Sequence, residues 1–149
     1  MRVFLDTNVL VSAFATRGLC ADLLQVVLAD HRLIVGETVV DELRQILRRK
    51  LRLPSAAIEE LDAFLRQHAE VVANTPRVQV RLRDATDLPV LAEAVAGTAD
   101  VMVTGDADLL VAADRSPVPI LAPRAFWELL RAQSGPPRAS RSSGGSSAS

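Results

Sequence analysis

Acidic residues stand at several points of this 149-residue chain where their carboxylates could meet. Asp6 directly follows the first apolar run, and Asp106 follows a later one, so each stands at the end of a predicted strand. Ligands of parallel sheets bind outside the carboxyl ends of the strands, so we expect both aspartates at one edge. Glu42 lies one turn inside a predicted helix and Asp87 opens another, which adds two further candidates for the same edge.

Each of these acids alone has a plain structural explanation as a helix cap, a turn former or part of a solvated helical face. Gathered at one edge, however, carboxylates repel and raise one another's pKa, and a hard divalent cation removes that cost. Oxygen ligands with no His or Cys nearby indicate Mg²⁺ or Mn²⁺ rather than zinc or copper. Such a cation lowers the pKa of a bound water and neutralises phosphate oxygens, so the pattern predicts phosphoryl-transfer chemistry.

The elements that must position these acids are predicted by short apolar runs alternating with segments of helical period. This pattern is typical of an α/β domain, here in the order βααβααβαβαβα. Strands are predicted at 3–5, 33–35, 71–73, 101–103 and 118–121. Helices are predicted at 9–15 and 21–29, from 38 towards 50, from 55, and at 87–96, 106–113 and 124–131. Thr38 and Asp41 have the spacing of a capping box, so we expect the third helix to open there.

Length and composition predict one globular domain in residues 1–133 and a disordered tail in residues 134–149. Hydrophobic residues make up 49% of the chain and charged residues 23%, which is ordinary for a folded domain. The tail has no hydrophobe larger than alanine. Seventeen basic and eighteen acidic residues give a net charge of -1, so no bulk positive field indicates nucleic-acid binding. A nucleic acid would have to be bound by a local group of cations.

Other features favour a cytoplasmic protein without a membrane partner. The single cysteine, Cys20, cannot close a disulfide within the chain. No run reaches the roughly 18 apolar residues of a membrane span, and Asp6 interrupts the stretch that a signal peptide would keep apolar.

Two segments resemble specific motifs of PIN-domain ribonucleases and occur in the right order. Residues 4–13, FLDTNVLVSA, resemble the opening motif, and residues 103–110, VTGDADLL, resemble the late T-G-D-x-D-L-L motif. Between them, residues 38–43, TVVDEL, resemble the helical glutamate segment. Residues 84–94, DATDLPVLAEA, resemble the D-P-x-D-x-x-[VIL]-[LA]-x-A block, with Ala85 where the family often has proline. The resemblance extends to about residue 130 and is strongest to the VapC-like toxins of toxin-antitoxin pairs.

The resemblance implies a three-layer α/β/α fold with a central, mostly parallel sheet of about five strands. It also implies an endoribonuclease dependent on Mg²⁺ or Mn²⁺, whose catalytic and metal-binding acids would be Asp6, Glu42, Asp87 and Asp106. Asp108 would be a further ligand and Asp84 an auxiliary acid, while Thr7, Asn8 and Thr104 would orient carboxylates or phosphate by hydrogen bonds. A homodimer and an antitoxin that covers the acidic groove are implied as partners, beside the RNA substrate.

Basic residues close to the acids could steer RNA phosphates towards them. Arg44, Arg48 and Arg49 follow Glu42, and Arg83 directly precedes Asp84. A solvated helix face and a surface strand explain these residues equally well.

Two other classes of protein that place an aspartate after the first strand fit poorly. A haloacid-dehalogenase-type phosphatase needs a second acid where Asn8 stands, and a receiver domain needs a late lysine, whereas the only lysine is Lys50. Two alternatives within the resemblance remain open. One is a housekeeping RNA-processing nuclease, and the other is a PIN-like module that binds RNA or protein without cutting.

Overall fold

The computed structural model describes residues 1–73 and 88–134, without the side chains of Leu88 and Ser134. Its strands are β1 (Arg2–Leu5), β2 (Arg32–Gly36), β3 (Glu70–Val72), β4 (Val101–Val103) and β5 (Ile120–Leu121). Its helices are α1 (Thr7–Ala15), α2 (Leu19–Asp30), α3 (Glu37–Arg49), α4 (Ser55–His68), α5 (Leu88–Ala96), α6 (Ala107–Val111) and α7 (Pro123–Ser134). A short 3₁₀ turn, Ala113–Arg115, follows α6. The predicted order of strands and helices is confirmed.

The five strands form one parallel sheet in the order β3-β2-β1-β4-β5. The chain adds β2 and β3 on one side of β1 and then returns to add β4 and β5 on the other. The direction of winding therefore changes between β1 and β4, and in open parallel sheets ligands bind at such a switch point. With helices packed on the sheet, the arrangement is the predicted three-layer α/β/α fold.

The centre of the sheet is apolar along its whole length because helices cover both of its faces. Phe4 and Leu5 of β1, Ile34 of β2 and Met102 of β4 are completely buried. Phe126 of α7 belongs to the same buried core. The described strands themselves therefore offer no polar side chain at the centre of the sheet, and the first polar residues after β1 and β4 are Asp6 and Thr104.

The start of α3 differs from the prediction. The residue that caps the helix is Gly36, which has no side chain to offer, and Thr38 lies within the first turn. Thr38 donates from its backbone N–H and its hydroxyl to Glu93 of α5. The capping box predicted between Thr38 and Asp41 is therefore wrong, because an acceptor from another helix serves the first turn of α3.

Smaller differences concern the ends of elements. β5 spans two residues rather than the predicted 118–121, and α6 ends at Val111 because a 3₁₀ turn follows it. The predicted tail lies outside the described residues, apart from Ser134 at the end of α7. Within the described ranges no single helix is long and apolar enough to cross a membrane, and α1 and α2, which together would be, meet at 103°.

Candidate active site

A pocket of about 210 Å³ opens at the carboxyl edge of the sheet, beside the switch point between β1 and β4. Three of the four principal acids predicted from the sequence line it: Asp6 after β1, Glu42 on α3 and Asp106 after β4. The other lining residues are Thr7, Asn8, Ile46, Val90 and Leu109. No basic side chain lines the pocket in the part of the chain that the structure describes. Three acids from segments far apart in sequence thus meet in a pocket that no described cation lines.

Asp6 is the most enclosed of the three carboxylates, with 5% of the residue exposed. One carboxylate oxygen accepts from the Thr7 backbone N–H at 2.8 Å, and the other accepts from the Thr104 hydroxyl at 2.6 Å. Burial is the main reason why the pKa of Asp6 is raised, and the charges of Glu42 and Asp106 raise it further against these hydrogen bonds. The Asp6 carboxylate is therefore held in one orientation in an environment that penalises its charge.

Hydrogen bonds join the loops after β1 and β4, which we call the floor of the pocket (residues 6–8 and 104–106). The completely buried Thr104 donates to Asp6 and accepts from the Asp106 backbone N–H at 3.0 Å. Asn8 donates to Asp6 at 3.1 Å, and its side-chain oxygen accepts from the Gly105 N–H at 2.8 Å. The side chains of Thr104 and Asn8 thus each bond to both loops. Neither loop can shift without breaking these hydrogen bonds, and the bond from Thr104 to Asp6 is buried.

Thr7 connects this floor to α3. Its backbone N–H serves Asp6, and its hydroxyl donates to Glu42 Oε1 at 2.7 Å. Glu42 is exposed on α3, so without this bond its long side chain would be free to adopt several rotamers. Thr7, Asn8 and Thr104 therefore lie where the sequence predicted residues that orient carboxylates.

Asp106 has two roles in the structure. It is the N-cap of α6, accepting from the Asp108 backbone N–H at 2.8 Å, and it lines the pocket. Asp108 itself is exposed and is not among the pocket-lining residues. Three other predicted site residues, Asp84, Asp87 and Arg83, lie outside the described residues.

The donor set of the pocket suits a hard divalent cation, because carboxylate, hydroxyl and amide oxygens are its polar atoms. Burial is the main reason why the pKa of Asp6 is raised, and a cation would offset the further rise that comes from Glu42 and Asp106. Within residues 1–73 and 88–134 the His, Cys, Asp and Glu side chains form no group of three placed to hold a metal ion. The fourth predicted acid, Asp87, directly precedes α5, whose Val90 lines the pocket.

The apolar lining was not predicted. Ile46 stands four residues after Glu42, and Leu109 stands three residues after Asp106. Residues three or four apart share one face of a helix, so helical spacing from each predicted acid would have identified them. Val90 stands in the same relation to Asp87. Together they give the acidic pocket an apolar part of its lining.

The predicted RNA-steering arginines of α3 lie in two different environments. Arg44 forms ion pairs with Glu59 and Asp62 of α4. Arg48 and Arg49 are exposed in the last turn of α3 and form no ion pair with any described residue. These two side chains therefore keep their charge available to solvent.

A parallel α/β sheet with an acidic pocket at its switch point defines a class of domain, and sequence comparison identifies the family. The model of the PIN domain family matches residues 2–108, so the chain belongs to the PIN domain family. PIN domains are generally nucleases. No curated protein sequence matches the chain.

Solved structures show the same fold. The chain is similar to VapBC2 from Rickettsia felis bound to a DNA fragment from their promoter, at 19% identity and a TM-score of 0.57. It is also similar to FitAcB from Neisseria gonorrhoeae, at 20% identity and a TM-score of 0.51. Each match covers 81% of this chain and 97% of the matched chain.

Proposed function

We propose that this protein is an endoribonuclease that depends on Mg²⁺ or Mn²⁺. The observation that carries the proposal is the meeting of Asp6, Glu42 and Asp106 in one pocket at the switch point of a PIN domain. These acids, with Asp87, would hold the metal, and Asp108 and Asp84 would be further acids at its margin. A bound divalent cation supplies water activation and neutralisation of phosphate charge.

The residues of the chain prepare the pocket for that chemistry. Thr104 and the Thr7 N–H hold Asp6 in one orientation, and the Thr7 hydroxyl holds Glu42. Orientation of metal-binding carboxylates by hydrogen-bonded neighbours is worth about 10- to 100-fold in affinity or activity. Ile46 and Leu109 add apolar surface to the pocket lining, and such surface would strengthen electrostatic interactions with a bound ion.

We propose RNA as the substrate, attracted in part by the exposed cations of α3. Arg48 and Arg49 are exposed and form no ion pair with a described residue, whereas Arg44 already pairs with two acids. Arg83 would add to this group from the segment before Asp84. Because such attraction acts through phosphate charge, we expect cleavage to weaken as salt rises.

Cleavage of labelled RNAs by the purified protein in Mn²⁺, Mg²⁺ or EDTA tests this function. We expect cleavage with metal and none in EDTA, and the Asp6→Asn variant purified in the same way controls for contaminating nucleases. Cleavage that persists in the variant would contradict the proposal. Metal that raises the melting temperature without cleavage of any RNA would indicate a PIN-like binding module instead.

Within this class we propose that the protein is the toxin of a toxin-antitoxin pair and acts in the cytoplasm. The similar structures of VapBC2 and FitAcB are antitoxin-toxin complexes, which supports an antitoxin as a partner. We also propose a homodimer. Induced expression in bacterial cells should arrest growth with the parent chain and not with Asp6→Asn. Unimpaired growth under induction of a chain that cleaves RNA in vitro would favour a housekeeping nuclease.

A further inference from the structure

A buried carboxylate outside the pocket joins α3 and α5, two helices that each contribute residues to the pocket lining. Glu93 of α5 has 0% of its surface exposed. Its Oε2 accepts from the Thr38 backbone N–H at 3.0 Å and from the Thr38 hydroxyl at 2.9 Å. We refer to this contact between α3 and α5 as the Thr38–Glu93 link. It has no part in binding or orienting any group in the pocket directly.

Tight packing against the sheet surrounds the link. A Cβ atom on Gly36 would overlap the Glu93 carboxylate. The carboxylate can therefore occupy this position only because residue 36 has no side chain. At the end of α5, a Cβ on Gly97 would lie 2.7 Å from Ile34 Cγ2, closer than real Cβ contacts allow. A side chain at either glycine would overlap a residue of the neighbouring element, so both glycines allow α5 to pack closely against β2.

The link lies one helical turn from the pocket on both helices. Glu42 follows Thr38 by four residues along α3, and Val90 precedes Glu93 by three residues along α5. Such spacings place side chains on the same face of a helix, one turn apart. Both Glu42 and Val90 line the acidic pocket. A shift of α3 along α5 at the link would therefore move Glu42 relative to Asp6.

Filling this buried space with a carboxylate costs free energy, because the charged group loses its contact with water. Burial raises the pKa of Glu93, with Glu37 and Asp41 adding to the effect, which shows that its charge is disfavoured there. An apolar side chain would fill the same volume at lower cost. What the carboxylate provides and an apolar side chain does not is a pair of directional bonds that fix α3 against α5.

We propose that Glu93 is a positioning residue, which acts through Thr38 and the first turn of α3 to set the place of Glu42 in the acidic pocket. The inference rests on the proposed function, since it takes Glu42 as a metal ligand. The link fixes the first turn of α3 against α5, and with it the place of Glu42 beside Asp6 in the pocket. The Thr7–Glu42 hydrogen bond then fixes the orientation of the carboxylate.

The test removes the side-chain bond of the link at Thr38 and leaves the backbone bond in place, because removing Glu93 itself leaves a cavity against Gly36 and risks unfolding the domain. Thr38→Val removes the hydroxyl at nearly constant volume, and Thr38→Ser keeps it as the matched control. Each is made in the parent chain and in the Glu42→Gln variant, and the Mn²⁺ dissociation constant is measured by titration calorimetry. Thermal melts establish that all variants are folded.

We expect Thr38→Val to weaken Mn²⁺ binding by about tenfold in the parent chain, while Thr38→Ser stays within about twofold of it. In the Glu42→Gln background Thr38→Val should change the constant by less than about twofold, because the residue through which the link acts is already lost. This dependence on Glu42 distinguishes positioning from a general loss of stability.

Equal effects of Thr38→Val in both backgrounds, or no effect in either, would overturn the inference while leaving the proposed function standing. A parent chain that binds no Mn²⁺ and cleaves no RNA would overturn both. Loss of binding in Thr38→Val without recovery in Thr38→Ser would also contradict the positioning role, since the serine hydroxyl restores the same bond.

Discussion

Acidic side chains meet on two different faces of α3, and they are neutralised in different ways. On the face towards α4, Arg66 bonds to Glu37 and Asp62, and Arg44 bonds to Asp62 and Glu59. On the face towards α1, Glu42 lines the pocket with Asp6 and Asp106, where no described cation lines the site. One cluster is a closed ion-pair network and the other is a set of acids alone.

The pKa values of the two clusters move in opposite directions. Hydrogen bonds from Arg66 lower the pKa of Glu37, whereas burial raises the pKa of Asp6 and neighbouring carboxylates add to the rise. Acids paired within the chain contribute to folding, while acids gathered without a partner reduce stability until something outside the chain neutralises them. The comparison therefore separates acids that stabilise the fold through ion pairs from acids that have no described cation beside them and that, in our proposal, bind a metal ion.

Of the substitutions that test this difference between the two clusters, Asp6→Asn should have the largest effect, which we expect on RNA cleavage. We expect RNA cleavage to fall by about a thousandfold or more, since losing a metal-binding carboxylate removes several kcal/mol of transition-state stabilisation. In EDTA the melting temperature should stay the same or rise, because one member of a repelling group is gone. Asp22→Asn, which removes an exposed acid of α2, is the control and should change neither property. A large drop in the EDTA melting temperature of Asp6→Asn would show that Asp6 belongs to the fold-stabilising acids.

Thr104→Val should have the next largest effect. It removes the donor to Asp6 and the acceptor for the Asp106 N–H at nearly constant volume, so we expect cleavage to fall by about 10- to 100-fold. Thr104→Ser keeps the hydroxyl and should retain most of the activity. Steady-state kinetics of both variants checks the prediction, and equal losses in the two would show that the methyl group, rather than the hydroxyl, is what matters.

Arg66→Ala should affect the paired cluster alone. Arg66 is 45% exposed, so we expect a loss of about 1 kcal/mol or less, seen as a fall of roughly 2–4 °C in melting temperature, with cleavage unchanged. The pKa of Glu37 and that of Asp62 are lowered. The two carboxylates therefore contribute to the free energy of unfolding at pH values above their ordinary pKa values of 4.5 and 3.8. This contribution is lost as the pH falls through their lowered pKa values. A stability difference that grows on acidification would contradict this assignment.

Glu93→Gln should give the smallest effect, visible as a change in the pH dependence of stability. The pKa of Glu93 is raised from 4.5, so stability of the parent chain should fall as pH rises through the raised value. The neutral amide avoids this loss, so the variant should melt at the same or a higher temperature at pH 7. The difference should vanish as pH falls below 4.5. A variant that loses most stability at pH 7 would show that the charged form is favoured in the fold.

The sequence predicted the order of the elements and the meeting of the acids because both depend on local patterns. Apolar runs such as that before Asp6 indicate buried strands, and the geometry of parallel sheets then places the residues after each strand at one edge. Three of the four principal acids indeed share the pocket. The prediction for Asp87 stays open, since it lies outside the described residues.

The features that could not be predicted depend on contacts between distant segments. The spacing of Thr38 and Asp41 fits a capping box, yet the acceptor for Thr38 comes from Glu93, 55 residues away. The same holds for Arg44, whose sequence neighbours indicated RNA steering and whose ion pairs lie on α4. In each case a local pattern allowed two partners, and only the packing of the helices decided between them.

Titration calorimetry with Mn²⁺ tests the central contrast most directly, using the parent chain, Asp6→Asn and Glu37→Gln. We predict that the parent chain and Glu37→Gln bind the ion alike, while Asp6→Asn gives no measurable binding. Glu37→Gln is the matched control because it removes an acid from the paired cluster on the other face of α3. No binding by the parent chain, or binding by Asp6→Asn as tight as that of the parent, would contradict the account.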